Sequence, residues 1–160
     1  ITLMLRDAGV LREPILYLSL FFKSRRDDYY RLLQEVRFAG GWEAWMEFFL
    51  TGVAETAEQA ADTARELMTM FEADRITIRE HGRVAASMLR VHELLQRRPM
   101  LTIPSASREL KLSLPTVGKA LELMASAGIV REVTGKQRGR LFAYTKYLAL
   151  LDKGTEPFPA

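Results

Sequence analysis

The sequence contains no cysteine and, across its 160 positions, no asparagine. Without cysteine there are no disulfides, no thiol nucleophile and no zinc site built on thiolates. Histidine is scarce as well: His81 and His92 are too few for an all-histidine zinc site and lack the H-E-x-x-H spacing. No apolar run approaches the ~20 residues that a membrane helix needs, and the mean hydropathy is -0.06. A cytoplasmic location with no membrane partner is therefore expected. A hydrophobic content of 48% with 27% charged residues excludes wholesale disorder, and there are no internal repeats or low-complexity tracts. A chain of this length holds at most two small domains. Residue 1 is isoleucine rather than a start methionine, so the sequence reads as a processed chain or as a segment of something longer.

The net charge of +3 is unevenly placed. Residues 1–100 carry 14 basic and 15 acidic side chains, whereas residues 101–160 carry 9 and 5. A basic last third on a near-neutral body points to a polyanionic partner for that third alone, against the plainer reading of a solvated basic surface.

Residues 1–5 followed by Ala8-Gly9 read as the last turns of a helix with a glycine stop. Pro14 permits a new helix over Ile15 to Phe22, because proline fits a first turn. Ser24 is the expected cap of the next helix, which has Asp27 and Asp28 in its first turn and stops at Gly40-Gly41. From Trp42 the apolar residues Trp45, Phe49, Val53, Ala57, Ala60, Ala64, Leu67 and Phe71 recur every three or four positions. That pattern predicts one helix of up to about 35 residues, longer than the usual globular range. The boundary between two folding units is expected near Asp74 to Gly82, which divides the chain into residues 1–80, 81–152 and a tail, 153–160.

After Gly82, the stripe Val84, Met88, Val91, Leu95 predicts a helix that ends before Pro99. Leu101 to Ile103 is a short extended piece, Ser105 to Leu110 a short helix, and Lys111-Leu112 a turn. Ser113 caps a further helix through Ala127, which Gly128 terminates. The β-rich runs Ile129 to Thr134 and Arg140 to Thr145 flank a five-residue, glycine-bounded loop typical of hairpins. Helix, strand, helix, turn, helix, hairpin is the order of a winged helix-turn-helix. Val117, Leu121 and Met124 share the face of the third helix that would pack on Ile103, Leu110 and Leu112. Its opposite N-terminal face offers Ser113, Pro115, Thr116 and Lys119, short or basic side chains suited to a major groove. The hairpin adds Lys136, Arg138 and Arg140 for phosphates or a minor groove. The competing reading is a charged hairpin that guards a sheet edge. Gly118 within the third helix implies a close neighbour.

Ten of the fifteen aromatic residues fall between Tyr17 and Phe49, and most must be core. Tyr29 and Tyr30 are adjacent on a helix, about 100° apart, so one is core and the other lines a boundary or groove. Here the run AGVLREPILYLSLFFKSRRDDYYRLLQEVRFAGGWEAWMEFFLTGV resembles the segment following the catalytic motif of the Fic family, whose members transfer AMP from ATP to protein hydroxyls. The run LKLSLPTVGKALELMASAGIVREVTGKQRGRLFAYTKYLALL resembles the winged helix that many bacterial members carry at their C-terminus. The resemblance implies a mainly α fold: a helical bundle forming the tail of a Fic-type core plus a long helix, then a winged helix with a small β-hairpin. It also implies that Tyr29 and Tyr30 flank the adenine of a bound nucleotide. The position of Arg37 lies near the nucleotide in members that have asparagine there, so the arginine departs from that pattern.

The family signature H-P-F-x-x-G-N-G-R is missing, as it must be from a sequence without asparagine. No catalytic or metal-binding residue is expected in this chain, which is not an enzyme as it stands; ATP and magnesium are the cofactors implied for an intact parent. Two functions remain open. In one, the winged helix binds DNA in a transcription-regulator-like role. In the other, it is a protein-interaction module acting on the parent's own catalytic core. A homodimer through residues 1–70 is expected, formed by apolar side chains such as Leu3, Leu16, Leu20, Trp42, Trp45 and Phe49.

Overall fold

A computed structural model of the chain describes residues 7–9 and 18–152. The helix expected over residues 1–5, the start at Pro14, and the tail after residue 152 lie outside the described residues. Among those described, the chain is mainly helical with one small three-stranded antiparallel sheet, and it divides into two compact units, residues 1–64 and 65–160.

The first unit contains α1 (Leu18–Ser24), α2 (Arg26–Ala39) and the first half of α3 (Trp42–Arg79). Ser24 does not cap α2. Its Oγ donates back to the Phe21 carbonyl at 2.9 Å and so finishes α1, and Arg25 takes the N-cap position without a side-chain bond. Asp27 and Asp28 do occupy the first turn of α2, and Gly40 ends that helix with a left-handed φ of +68°. Aromatic packing organises the unit: the Phe22 ring lies 5.1 Å from Tyr29 and 6.3 Å from Trp45, and Phe21 lies 5.1 Å from Phe48. Gly52 allows this approach. A Cβ there would stand 2.6 Å from the Phe21 ring, so only hydrogen fits.

The long helix runs for 38 residues, close to the expected length. Its last turns belong with the second unit, so the chain divides at residue 64 rather than near 80. The reason is burial: Ile78 is fully enclosed in the second core, Met70 and Phe71 pack against it, and Asp74 is buried. The rest of this unit comprises a 3-10 turn (Gly82–Val84), α4 (Ala85–Arg97), β1 (Met100–Thr102), α5 (Ile103–Leu110), α6 (Leu114–Ser126), β2 (Arg131–Glu132), β3 (Leu141–Ala143) and α7 (Thr145–Asp152).

Its core forms where the apolar face of α6, Val117, Leu121 and Met124, meets Met88, Val91 and Leu95 of α4. Ile103, Leu110 and Leu112 pack at the edge of that cluster, as their spacing predicted. The sheet order is β1-β3-β2, with Phe142 opposite Leu101 on one side and Glu132 on the other. Ile103 opens α5 instead of extending β1. The Thr102 side chain accepts from the Ser105 N–H at 3.3 Å while Ser105 Oγ accepts from the Thr102 N–H at 3.1 Å, a reciprocal cap. The β-rich runs are trimmed, because Tyr144 leaves the sheet for the core with its N–H on the Pro99 carbonyl at 2.8 Å. Helix α7, absent from the sequence-based reading, follows at once.

A buried polar chain ties the end of α3 to this core. The Tyr144 hydroxyl donates to Asp74 Oδ2 and accepts from His92 Nε2 at 3.2 Å, and Gln96 Nε2 donates to His92 Nδ1 at 3.1 Å. His92 is therefore neutral. Burial holds its pKa below the ordinary value, with nearby Asp74 opposing and Arg75 adding to the effect. Burial, followed by the bond to Asp74, pushes the Tyr144 hydroxyl far above its usual range.

Candidate nucleic-acid interface

Helix α6 begins where Lys111 adopts a left-handed φ of +52° and Ser113 caps the first turn. Ser113 Oγ accepts from the Thr116 N–H at 3.3 Å and lies 2.8 Å from Thr116 Oγ1. Both hydroxyls thus take part in the cap, which leaves each with fewer free sites than its side chain alone suggests. Thr116, Lys119 and Glu122 recur at three-residue intervals, so they line one edge of the helix. Lys119 is exposed on that edge. Gly118 is buried, yet a Cβ there would meet Ile103 Cδ1 at an ordinary 3.7 Å, so the close neighbour expected from the sequence is not what requires glycine.

The hairpin reaches the same edge through one contact. Arg140, at the entry to β3, donates to Glu122 Oε1 at 2.9 Å, and its guanidinium lies 5.4 Å from the centre of the Phe142 ring. Of the three basic side chains expected to meet DNA from the hairpin, Arg140 is already engaged, whereas Lys136 and Arg138 are exposed at the tip. The shape of the tip comes from Glu132. Its carboxylate accepts from the Thr134 hydroxyl, from the Thr134 N–H at 2.9 Å and from the Gly135 N–H at 2.9 Å, which hold its pKa below the usual carboxylate value. Sequence reasoning missed both carboxylates. Glu122 had a local signal, an acid three residues after Lys119 on a face otherwise read as basic; Glu132 had none, since its partners are set by the turn.

The residues that the resemblance places near a nucleotide are divided. Tyr29 is half-buried, 5.6 Å from Trp45 and edge-on to Tyr30 at 5.3 Å. Tyr30 is exposed with the Arg26 guanidinium 5.5 Å from its ring centre, and Arg37 is exposed over Phe38 at the same distance. Seven residues along α2 separate Tyr30 from Arg37, about 10 Å on one edge of the helix. An open cleft of about 370 Å³ does run between α2 and α3, but Arg25, Asp28, Leu32 and Phe48 line it, not these three. Among the described residues, no group of three or more histidines and carboxylates is placed to hold a metal ion, and no helix is long and apolar enough to cross a membrane. The chain matches no protein-family model.

Proposed function

We propose that residues 81–152 form a winged helix-turn-helix that binds double-stranded DNA, with α6 in the major groove and Lys136 and Arg138 of the hairpin on the backbone or minor groove. The observation that carries this reading is the edge of α6, where exposed Lys119 lies between Thr116 and Glu122, and Glu122 fixes the hairpin beside the helix through Arg140. A helix face beside a basic loop is the arrangement in which a recognition helix enters the major groove while neighbouring cations meet the phosphates. Residues 18–64 are then the helical tail of a Fic-type core. Tyr29, Tyr30 and Arg37 would contribute to a nucleotide site only beside the missing signature, so ATP, magnesium and AMP transfer belong to an intact parent and not to this chain.

Fluorescence anisotropy with a random-sequence duplex tests the DNA reading. Binding should weaken steeply as salt rises, and removing one phosphate contact should lower the slope of log affinity against log salt by about 0.9. If no duplex binds at low salt, the DNA reading is lost. The module would then act on proteins, a second reading favoured by its own exposed apolar side chains Met100, Leu114 and Val133.

A further inference from the structure

The hairpin carries one acid, placed where a polyanion would least favour it. Between Gly128 and Tyr144 the charged residues are Arg131, Glu132, Lys136, Arg138 and Arg140. Glu132 is the last residue of β2 before the loop, opposite Phe142 of β3. Its carboxylate turns into the loop: Oε1 accepts from the Thr134 N–H at 2.9 Å and from the Thr134 hydroxyl, and Oε2 accepts from the Gly135 N–H at 2.9 Å. Thr134 Oγ1 in turn accepts from the Lys136 N–H at 3.5 Å. Three consecutive backbone N–H groups thus end on Glu132 or on the hydroxyl that it holds, where the chain turns and Gly135 adopts a φ of +64°. The Val133 N–H on the Leu141 carbonyl at 2.9 Å closes the base of the loop. Among the described residues, no backbone–backbone hydrogen bond lies between Thr134 and Arg140. The first half of the loop is therefore shaped by one side chain.

A carboxylate suits this task because it only accepts, and the turn offers it only donors. The two cations at the tip, Lys136 and Arg138, are exposed and follow directly on the segment that Glu132 shapes. Without those bonds, a loop with Gly135 and Gly139 at its ends would sample many shapes and would have to be ordered at the moment of binding. We propose that Glu132 is a positioning residue for DNA: without touching the duplex, it presets the loop so that Lys136 and Arg138 meet the phosphates together. The proposal rests on the DNA reading above. Charge and preorganisation then act with opposite signs. Neutralising an acid near a polyanion tightens binding if the field alone matters. At physiological salt that field fades over about 8 Å, whereas the ordering of a loop is not screened. Loss of the preset shape should win, and binding should weaken by about three- to tenfold.

The test uses the full chain and a random-sequence duplex, with Glu132→Gln made both in wild type and in a chain carrying Lys136→Ala and Arg138→Ala. Glutamine keeps the shape but sets an amide NH2 against the N–H donors. In wild type it should weaken binding by the stated factor; in the doubly substituted chain it should change nothing, because the cations it positions are gone. Thr134→Val removes the hydroxyl with no change of charge and should also weaken binding, by about twofold. A Glu132→Gln chain that binds as tightly as wild type, or more tightly, overturns the proposal and leaves the DNA reading intact. So does an equal loss in both backgrounds. A wild type that binds no duplex at low salt removes the DNA reading and this role with it. A measurement on the free chain separates the cases: by 15N relaxation, the Gly135 and Lys136 amides should be as ordered as β3 in wild type and more mobile in Glu132→Gln. Unchanged order parameters would overturn the positioning role whatever the affinities.

Discussion

Two glycines in helices illustrate how a residue's neighbours set the sign of a substitution. Gly52 faces the Phe21 ring at a distance that excludes any Cβ, whereas the space beside Gly118 accommodates one. Gly52→Ala should therefore destabilise the first unit by about 1–3 kcal/mol, the usual cost of overpacking. Gly118→Ala should stabilise the second by about 0.5–1 kcal/mol, because alanine loses less backbone entropy in a helix. Urea titrations of the two variants give these values directly, and the two signs must be opposite. His92 supplies a pH dependence at the same scale. Its folded pKa is depressed, so near pH 6.5 the unfolded chain binds more protons and stability rises with pH. The contribution is present above the unfolded value of about 6.5 and is lost as pH falls below it towards the folded value. Melting temperatures between neutral and mildly acidic pH should fall less steeply for His92→Gln than for wild type.

Among the elements, α6 and the hairpin are the pair proposed to meet DNA, and the Arg140–Glu122 contact couples them. A surface ion pair of this kind contributes little stability, about 0–1 kcal/mol. Its effect on binding is separable. Glu122→Gln should release Arg140 to a phosphate and steepen the salt dependence of duplex binding by about 0.9, whereas Arg138→Ala should flatten it by the same amount. Equal slopes for Glu122→Gln and wild type would mean that Arg140 never reaches the backbone. Changing Lys119 should instead alter which sequences are preferred, by about 1–3 kcal/mol per lost base contact. The legibility of these elements varied for physical reasons. The start of α6 is written locally, in Ser113 as a cap and Pro115 in the first turn, and its end in Gly128. The start of α7 is not, because Thr145 follows a β-rich run and carries no strong cap signal. The division at residue 64 is invisible in α3, whose apolar period continues unbroken while its neighbours change. The cation partner of Glu122 lies eighteen residues further along the chain and is set only by folding.

Across the described residues the two units differ in how much they bury. Among the described residues, nineteen apolar side chains are buried, of which Leu18, Phe21 and Leu32 lie in the first unit and Ile78 and fifteen others in the second. Segments with few buried contacts open at lower free energy. Hydrogen exchange should therefore show α4, α6 and β3 as the most protected elements, and within α3 the stretch 54–64 should exchange well before 70–78. Uniform protection along α3 would contradict this ranking. On the proposed Fic-tail reading, in which the signature lies outside this sequence, the purified chain should transfer no AMP to itself or to other proteins from ATP and magnesium, and a radiolabelled nucleotide checks this; labelling would overturn the reading.

The aromatic layer of the first unit also has an optical consequence. Trp42 and Trp45 are the only two tryptophans in the sequence, and both open α3 beside that layer. The second unit has tyrosines but no indole. Emission excited selectively at the indole absorption edge therefore reports on one half of the chain, and backbone dichroism on both. Trp42 is already exposed, whereas Trp45 is packed against Phe22 and Tyr29, so the red shift on opening of the first unit should come from Trp45. A single cuvette can thus follow the opening of the first unit without any label.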